Sequence, residues 1–250
     1  MSKQISLSAL EQQSTKLTTC CILIPSPKSE QKSIVLDLTP QNPVTTGFDH
    51  IQSIRKQWDK SVNRWPPHMN LLHPFIHKKQ FFKAKQLIEE ALVDFPPIKI
   101  TLPAHHIHCN AGSKFVLTGP TYPQQIEQLQ KLYTILKGLF PQCSATGSLF
   151  EGGDESKKEG KGLASGKSSN QRSPQSSVPV ERFEPHLTLG QLSNSTIATQ
   201  RKKGTELTEY EIIERDWCGI EFVACELALM WRETTEDPFN IGEIIRFAFQ

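Results

Sequence analysis

Two segments of this 250-residue chain echo one another: Pro67-His68-Met69-Asn70-Leu71-Leu72 and Pro185-His186-Leu187-Thr188-Leu189-Gly190. Both read proline, histidine, apolar, small polar, leucine. Side chains on an extended strand alternate between its two faces. His68 and Asn70 therefore share a face opposite Met69 and Leu71, and His186 and Thr188 share one opposite Leu187 and Leu189. Each segment keeps an apolar face for a core and presents an imidazole with a polar neighbour on the other. A single histidine on a strand is more often a satisfied structural residue. Two copies, each behind a proline, point to one shared site, and a duplicated β-α-β unit would set the two strands side by side.

The spacing agrees with this. The two histidines are 118 residues apart, and 37 of the intervening residues, 144–180, hold 9 Ser and 6 Gly around EGGDESKKEGKG. Such a stretch buries too little apolar surface to offset the entropy of ordering, and it reads as a disordered insertion within one domain. Residues 1–17 read as a flexible N-terminus, and 18–250 as a single domain.

Periodicity supplies the elements in between. Thr19–Pro25 reads as a first strand. Val44, Phe48, Ile51, Ile54 and Trp58 give a helix with one apolar face, and Phe81, Ala84, Leu87, Ile88, Ala91, Leu92 and Phe95 give a second, ended by Pro96-Pro97. Strands are expected at 98–102, 105–109 and 114–118, with a third helix from Pro123 to Pro141. The strand at 185–191 follows the insertion. A fourth helix is expected over 196–215, then strands at 222–231 and 243–249. The class is α+β, with antiparallel or mixed sheets.

Composition narrows the function. Lys+Arg 28 against Asp+Glu 26 leaves +2, which lacks the basic excess of proteins that coat long duplexes but suits a small or single-stranded anionic substrate. The six cysteines form no CxxC pair, and the opening MSKQISLSALEQQ has no signal-peptide shape. No stretch approaches the ~20 apolar residues of a membrane span. Reduced thiols in a monomeric cytoplasmic or nuclear protein are expected, with no membrane partner and no cofactor.

Imidazole titrates close enough to neutrality to act as acid or base. Cleaving a phosphodiester requires one group to deprotonate the attacking water or hydroxyl and another to protonate the leaving oxygen. Two histidines either side of phosphorus do both without a metal, while Asn70 and Thr188 donate to the non-bridging oxygens.

The paired motif resembles the two-histidine (2H) phosphoesterase superfamily, which includes the 2′-5′ RNA ligase-like and cyclic-phosphodiesterase proteins. WPPHMNLLHPF and FEPHLTLGQL carry the resemblance, and PFNIGEIIRFAF looks like the family's closing strand. It implies a bilobal, pseudo-symmetric fold of two β-α-β-type halves around a central cleft, catalytic His68 and His186, and phosphate ligands Asn70 and Thr188. The implied activity is hydrolysis of 2′,5′-linked or cyclic 2′,3′-phosphate nucleotides or RNA ends. Asn70 departs from the family's usual Thr or Ser, and it favours the alternative of a non-catalytic RNA- or nucleotide-binding module that retains the cleft.

Further candidates are weaker. Trp65, Phe183 and Trp231 could stack on a base, and Arg182 and Arg232 could pair with a phosphate; for each alone, packing or solvation is the plainer role. His73 or His77 could line the cleft mouth. His105-His106-Ile107-His108-Cys109 lacks partners at zinc spacing, so no metal site is expected and the segment reads as a partly exposed strand.

Overall fold

The computed structural model describes residues 14–36, 46–109, 113–143, 183–192 and 207–247. Its strands are β1 (Thr18–Leu23), β2 (Ile34–Val35), β3 (His68–Leu72), β4 (Ile98–Leu102), β5 (His108–Cys109), β6 (Phe115–Thr118), β7 (Leu187–Gln191), β8 (Ile220–Ala224), β9 (Glu226–Trp231) and β10 (Asn240–Arg246). Its helices are α1 (Gly47–Trp58), α2 (Phe81–Ala91), α3 (Pro123–Leu139) and α4 (Glu209–Asp216). The chain is thus α+β. The strands form three sheets, ordered β10-β9-β1-β3, β2-β8-β4 and β5-β6-β7, and every ladder among the described residues is antiparallel.

Local chemistry sets the helix limits. Thr46 caps α1 by accepting from the Asp49 N–H, with Asp49 in the first turn and Arg55 and Lys56 in the last, as the helix dipole favours. α3 opens on a proline at its first position. Thr208 and Glu211 form a reciprocal capping box at α4.

Packing follows the alternation read from the sequence. Met69, Leu71, Leu187 and Leu189 are buried in the main core, together with Cys20, Ile22 and Ile24 from β1. α2 covers β10, α3 lies on β3 and β4, and α1 lies on β7. The last contact explains the glycine that ends the second motif: a Cβ on Gly190 would stand 2.8 Å from the Trp58 Cβ. The other face of the β10-β9-β1-β3 sheet carries a smaller cluster of Cys21, Ala228, Met230 and Phe239, with Leu23, Trp65 and Ile244 against it. All six cysteines are free and all but Cys109 are buried, which pushes the Cys20 and Cys21 thiols up.

Several boundaries differ from expectation. The single strand expected over 222–231 is two, broken at Cys225, because β8 pairs with β4 while β9 pairs with β1 in another sheet. The strand expected at 105–109 shrinks to its last two residues, since His105 takes a left-handed φ of 55° and leaves the ladder. α2 stops at Ala91, and Phe95 N–H closes a turn on the Leu92 carbonyl before Pro96. The fourth helix starts only at its capping box, and β10 begins three residues before the expected Glu243. β2 was not expected. Val44, 193–206, most of the N-terminal seventeen and the 144–180 insertion lie outside the described residues.

Candidate active site

β3 and β7 are edge strands of two different sheets, and they lie against each other without a ladder between them. His68 is the first residue of β3, opposite Leu23 of β1. His186 sits immediately before β7. Gly119, just past β6, lets the segment before β7 come close, since a Cβ there would lie 2.6 Å from the Pro185 carbonyl oxygen.

Both imidazoles are held by the same device. The Nδ1 of His68 is 2.7 Å from the Pro66 carbonyl oxygen, and the Nδ1 of His186 is 2.9 Å from that of Glu184. In each case the partner is the carbonyl two residues back, across the intervening proline. A carbonyl only accepts, so the proton of the neutral ring sits on Nδ1 and the Nε2 lone pair is left available. An Nε2 so held takes a proton when neutral and gives one when charged.

The polar partners stand beside them. Asn70 is half-buried on the face of His68, and its Oδ1 accepts from the Thr19 hydroxyl at 2.9 Å. Thr188 is half-buried within the β6–β7 ladder, and its hydroxyl has no hydrogen-bond partner among the described residues.

The surroundings of the two histidines differ. Trp65 stacks on His68 with centroids 4.5 Å apart and planes 11° apart. Phe239 tilts against Trp65 at 3.8 Å, and His73 meets Trp65 edge-on at 5.6 Å. The buried Arg232 guanidinium lies 4.6 Å from the Phe239 ring centre and 5.7 Å from that of Trp65, and donates to the Thr235 carbonyl. Part of His68 remains accessible, yet its ring is hemmed in by protein. That desolvation lowers its pKa to about 3, against the upward pull of the Pro66 carbonyl and with help from the charges of Arg55, His73 and His186. Arg55 is itself buried and paired with Asp59 at 2.7 Å.

The family model described as the 2′-5′ RNA ligase superfamily matches residues 43–236. The chain belongs to the 2′-5′ RNA ligase superfamily. That span contains both proline–histidine motifs. Among solved structures, one described as a phosphoesterase is 14% identical with a TM-score of 0.40, covering 88% of this chain and 99% of its own. No curated protein matches.

Phe183 is not at the site: it is buried in the core, stacked on Tyr133 at 4.9 Å. Trp231 follows Leu227 and Leu229 onto the opposite face of the sheet from His68, where the Lys78 ammonium lies 3.6 Å over its ring. Arg232 is on the correct face but buried, and acts as a brace for Trp65 and Phe239 rather than as an open phosphate ligand. Trp65 is beside His68, but its ring is already engaged by His68 and Phe239. Arg182 lies outside the described residues. His73 approaches Trp65, with its Nδ1 3.0 Å from the Thr18 carbonyl, whereas His77 caps a short 3-10 helix at Lys78–Gln80.

Two further residues stand near the motifs, Thr19 and His108. Thr19 lay within a first strand that carried no polar-face signal. His108 is exposed, and register sets it opposite Leu117, which is opposite Thr188. Partial screening from water by its neighbours lowers its pKa first, then the charges of His106 and His186. The histidine cluster at 105–108 is the signal for it, since an exposed strand there carries His108 toward the second motif. Among the described residues no group of three or more His, Cys, Asp or Glu could hold a metal ion, and no helix is long and apolar enough to cross a membrane.

Proposed function

We propose that this protein is a metal-independent phosphodiesterase acting on 2′,5′-linked or cyclic 2′,3′-phosphate nucleotides or RNA ends, with His68 and His186 as its acid–base pair. The observation that supports this best is the matched anchoring of the two rings through Nδ1 on neighbouring edge strands. Two halves related as lobes across this cleft would present two Nε2 atoms to one phosphate.

For a cyclic phosphate, one Nε2 takes a proton from water as its oxygen bonds to phosphorus. The bond from phosphorus to one ribose oxygen breaks, and the other imidazolium gives that oxygen a proton. His68 suits the base: enclosed by Trp65 and near other positive groups, it stays neutral throughout the physiological range. His186 is then the acid. Asn70 and Thr188 donate to the non-bridging oxygens as charge builds on them.

The test is a turnover screen of nucleoside 2′,3′-cyclic phosphates, 2′,5′-oligoadenylates and 3′-oligouridine with EDTA present. Hydrolysis of at least one class in chelator is expected. Activity lost in EDTA and restored by zinc or magnesium would contradict the mechanism, and binding of these ligands without turnover on any of them would favour the non-catalytic reading.

A further inference from the structure

Asn70 is where this chain leaves its family's usual hydroxyl residue, and its surroundings show how the amide is handled. A carboxamide has two unlike ends, an acceptor oxygen and a donor nitrogen, and rotation by a half-turn exchanges them. An Asn beside an anionic phosphate is useful only with its nitrogen toward the anion. On β1, Thr19 is fully buried, and its Oγ1 lies 2.9 Å from Asn70 Oδ1 and 3.1 Å from the Leu72 carbonyl oxygen. A hydroxyl in that position has no water to bond with, so its proton must go to one of these two acceptors, and the shorter contact is to Asn70. Asn70 Nδ2 has no partner among the described residues, and the residue is partly open on the His68 face of β3.

We propose that Thr19 is a positioning residue, which occupies Asn70 Oδ1 so that the amide offers the cleft N–H donors alone. This rests on the phosphodiesterase reading of the site and deepens it. With its oxygen turned toward Thr19, Asn70 presents its N–H groups rather than its oxygen on the open side of β3. The ligand atom it recognises is an anionic, non-bridging phosphoryl oxygen. The pair Thr19–Asn70 thus supplies what a single Thr or Ser supplies elsewhere in the family, but with fixed polarity.

Thr19→Val tests this, because valine keeps the shape and β-branching at a buried strand position while removing the hydroxyl. Loss of the orienting bond should lower kcat by about 10-fold, less than removal of a donor outright, with a smaller change in KM. Thr19→Ser should retain wild-type turnover. The same Thr19→Val change made in an Asn70→Thr background should add less than about a 2-fold loss, since a threonine hydroxyl has no amide end to orient. Equal losses in both backgrounds would mark Thr19 as merely structural and overturn the proposal.

A second measurement separates this inference from the enzymatic reading. In the full-length protein labelled with nitrogen-15, inorganic phosphate should shift the paired Asn70 side-chain amide signals. The shift should persist in Thr19→Ser and shrink in Thr19→Val. An unchanged shift in Thr19→Val, or none in wild type, overturns the proposal. Should no diester be turned over while the phosphate-induced shift still depends on the Thr19 hydroxyl, the positioning role stands and the phosphodiesterase reading fails.

Discussion

His68 and His186 are held alike and surrounded differently. Each ring gives its Nδ1 proton to the carbonyl two residues back. Around His68, however, the chain has built an aromatic wall: Trp65 flat against the ring, Phe239 behind it, His73 at its edge and Arg232 bracing both aromatics. The loop that carries this wall is tied down by Phe239 N–H to the Arg64 carbonyl and by an Arg64–Glu236 ion pair. Around His186 no ring contact occurs among the described residues, and its strand is pressed instead against α1 through Gly190. The lesson is that a shared local motif fixes which ring nitrogen holds the proton, while non-local packing fixes how enclosed each ring is.

The largest test of this division removes the rings. His68→Ala and His186→Ala should each lower turnover by about 10²–10⁴-fold, the usual worth of a positioned acid or base. The double variant should lose less than the product, because the two act as a unit. If only one substitution mattered, the paired reading would fall.

A smaller effect should follow from dismantling one wall. Trp65→Ala should reduce turnover by about 10-fold through a less firmly placed His68. It should also raise the pKa of His68 toward the ordinary histidine range by admitting water. The check is the pH–rate profile. Wild type should show no acid limb from His68 near pH 6.5, whereas Trp65→Ala should show activity falling at higher pH than wild type does. Identical profiles would mean that the stack does not set the state of His68.

The smallest expected effect is on stability. The unfolded chain protonates His68 near its ordinary value of 6.5, the folded chain only near about 3. Between those values the unfolded state binds the extra proton, so this contribution is intact above pH 6.5 and is lost as pH falls toward 3. His68→Asn should therefore lose stability less steeply than wild type between pH 7 and pH 4, read as denaturation midpoints. Parallel curves would contradict the enclosure of His68.

The sequence exposed some of this arrangement and concealed the rest, for physical reasons. Alternation placed Met69, Leu71, Leu187 and Leu189 in the core without knowledge of partners, because a strand's two faces are a local property. Trp231 shows the limit. Its parity with Leu227 and Leu229 is legible, but which face of β9 lies on the His68 side of the sheet depends on pairing with β1, a non-local register. Phe183 stands three residues before His186, yet its stacking on Tyr133 is set by the packing of α3. Thr19 was hidden for the same reason, since its partner Asn70 is 51 residues away.

The central claim is that both imidazoles meet one phosphate through Nε2. Nitrogen-15 imidazole spectra recorded while a nucleoside 2′-phosphate is titrated into the full-length protein with EDTA test it most directly. The account predicts that the Nε2 signals of His68 and His186 shift together with a single dissociation constant while both Nδ1 atoms stay protonated. A shift confined to one histidine, or two shifts with different dissociation constants, would contradict it.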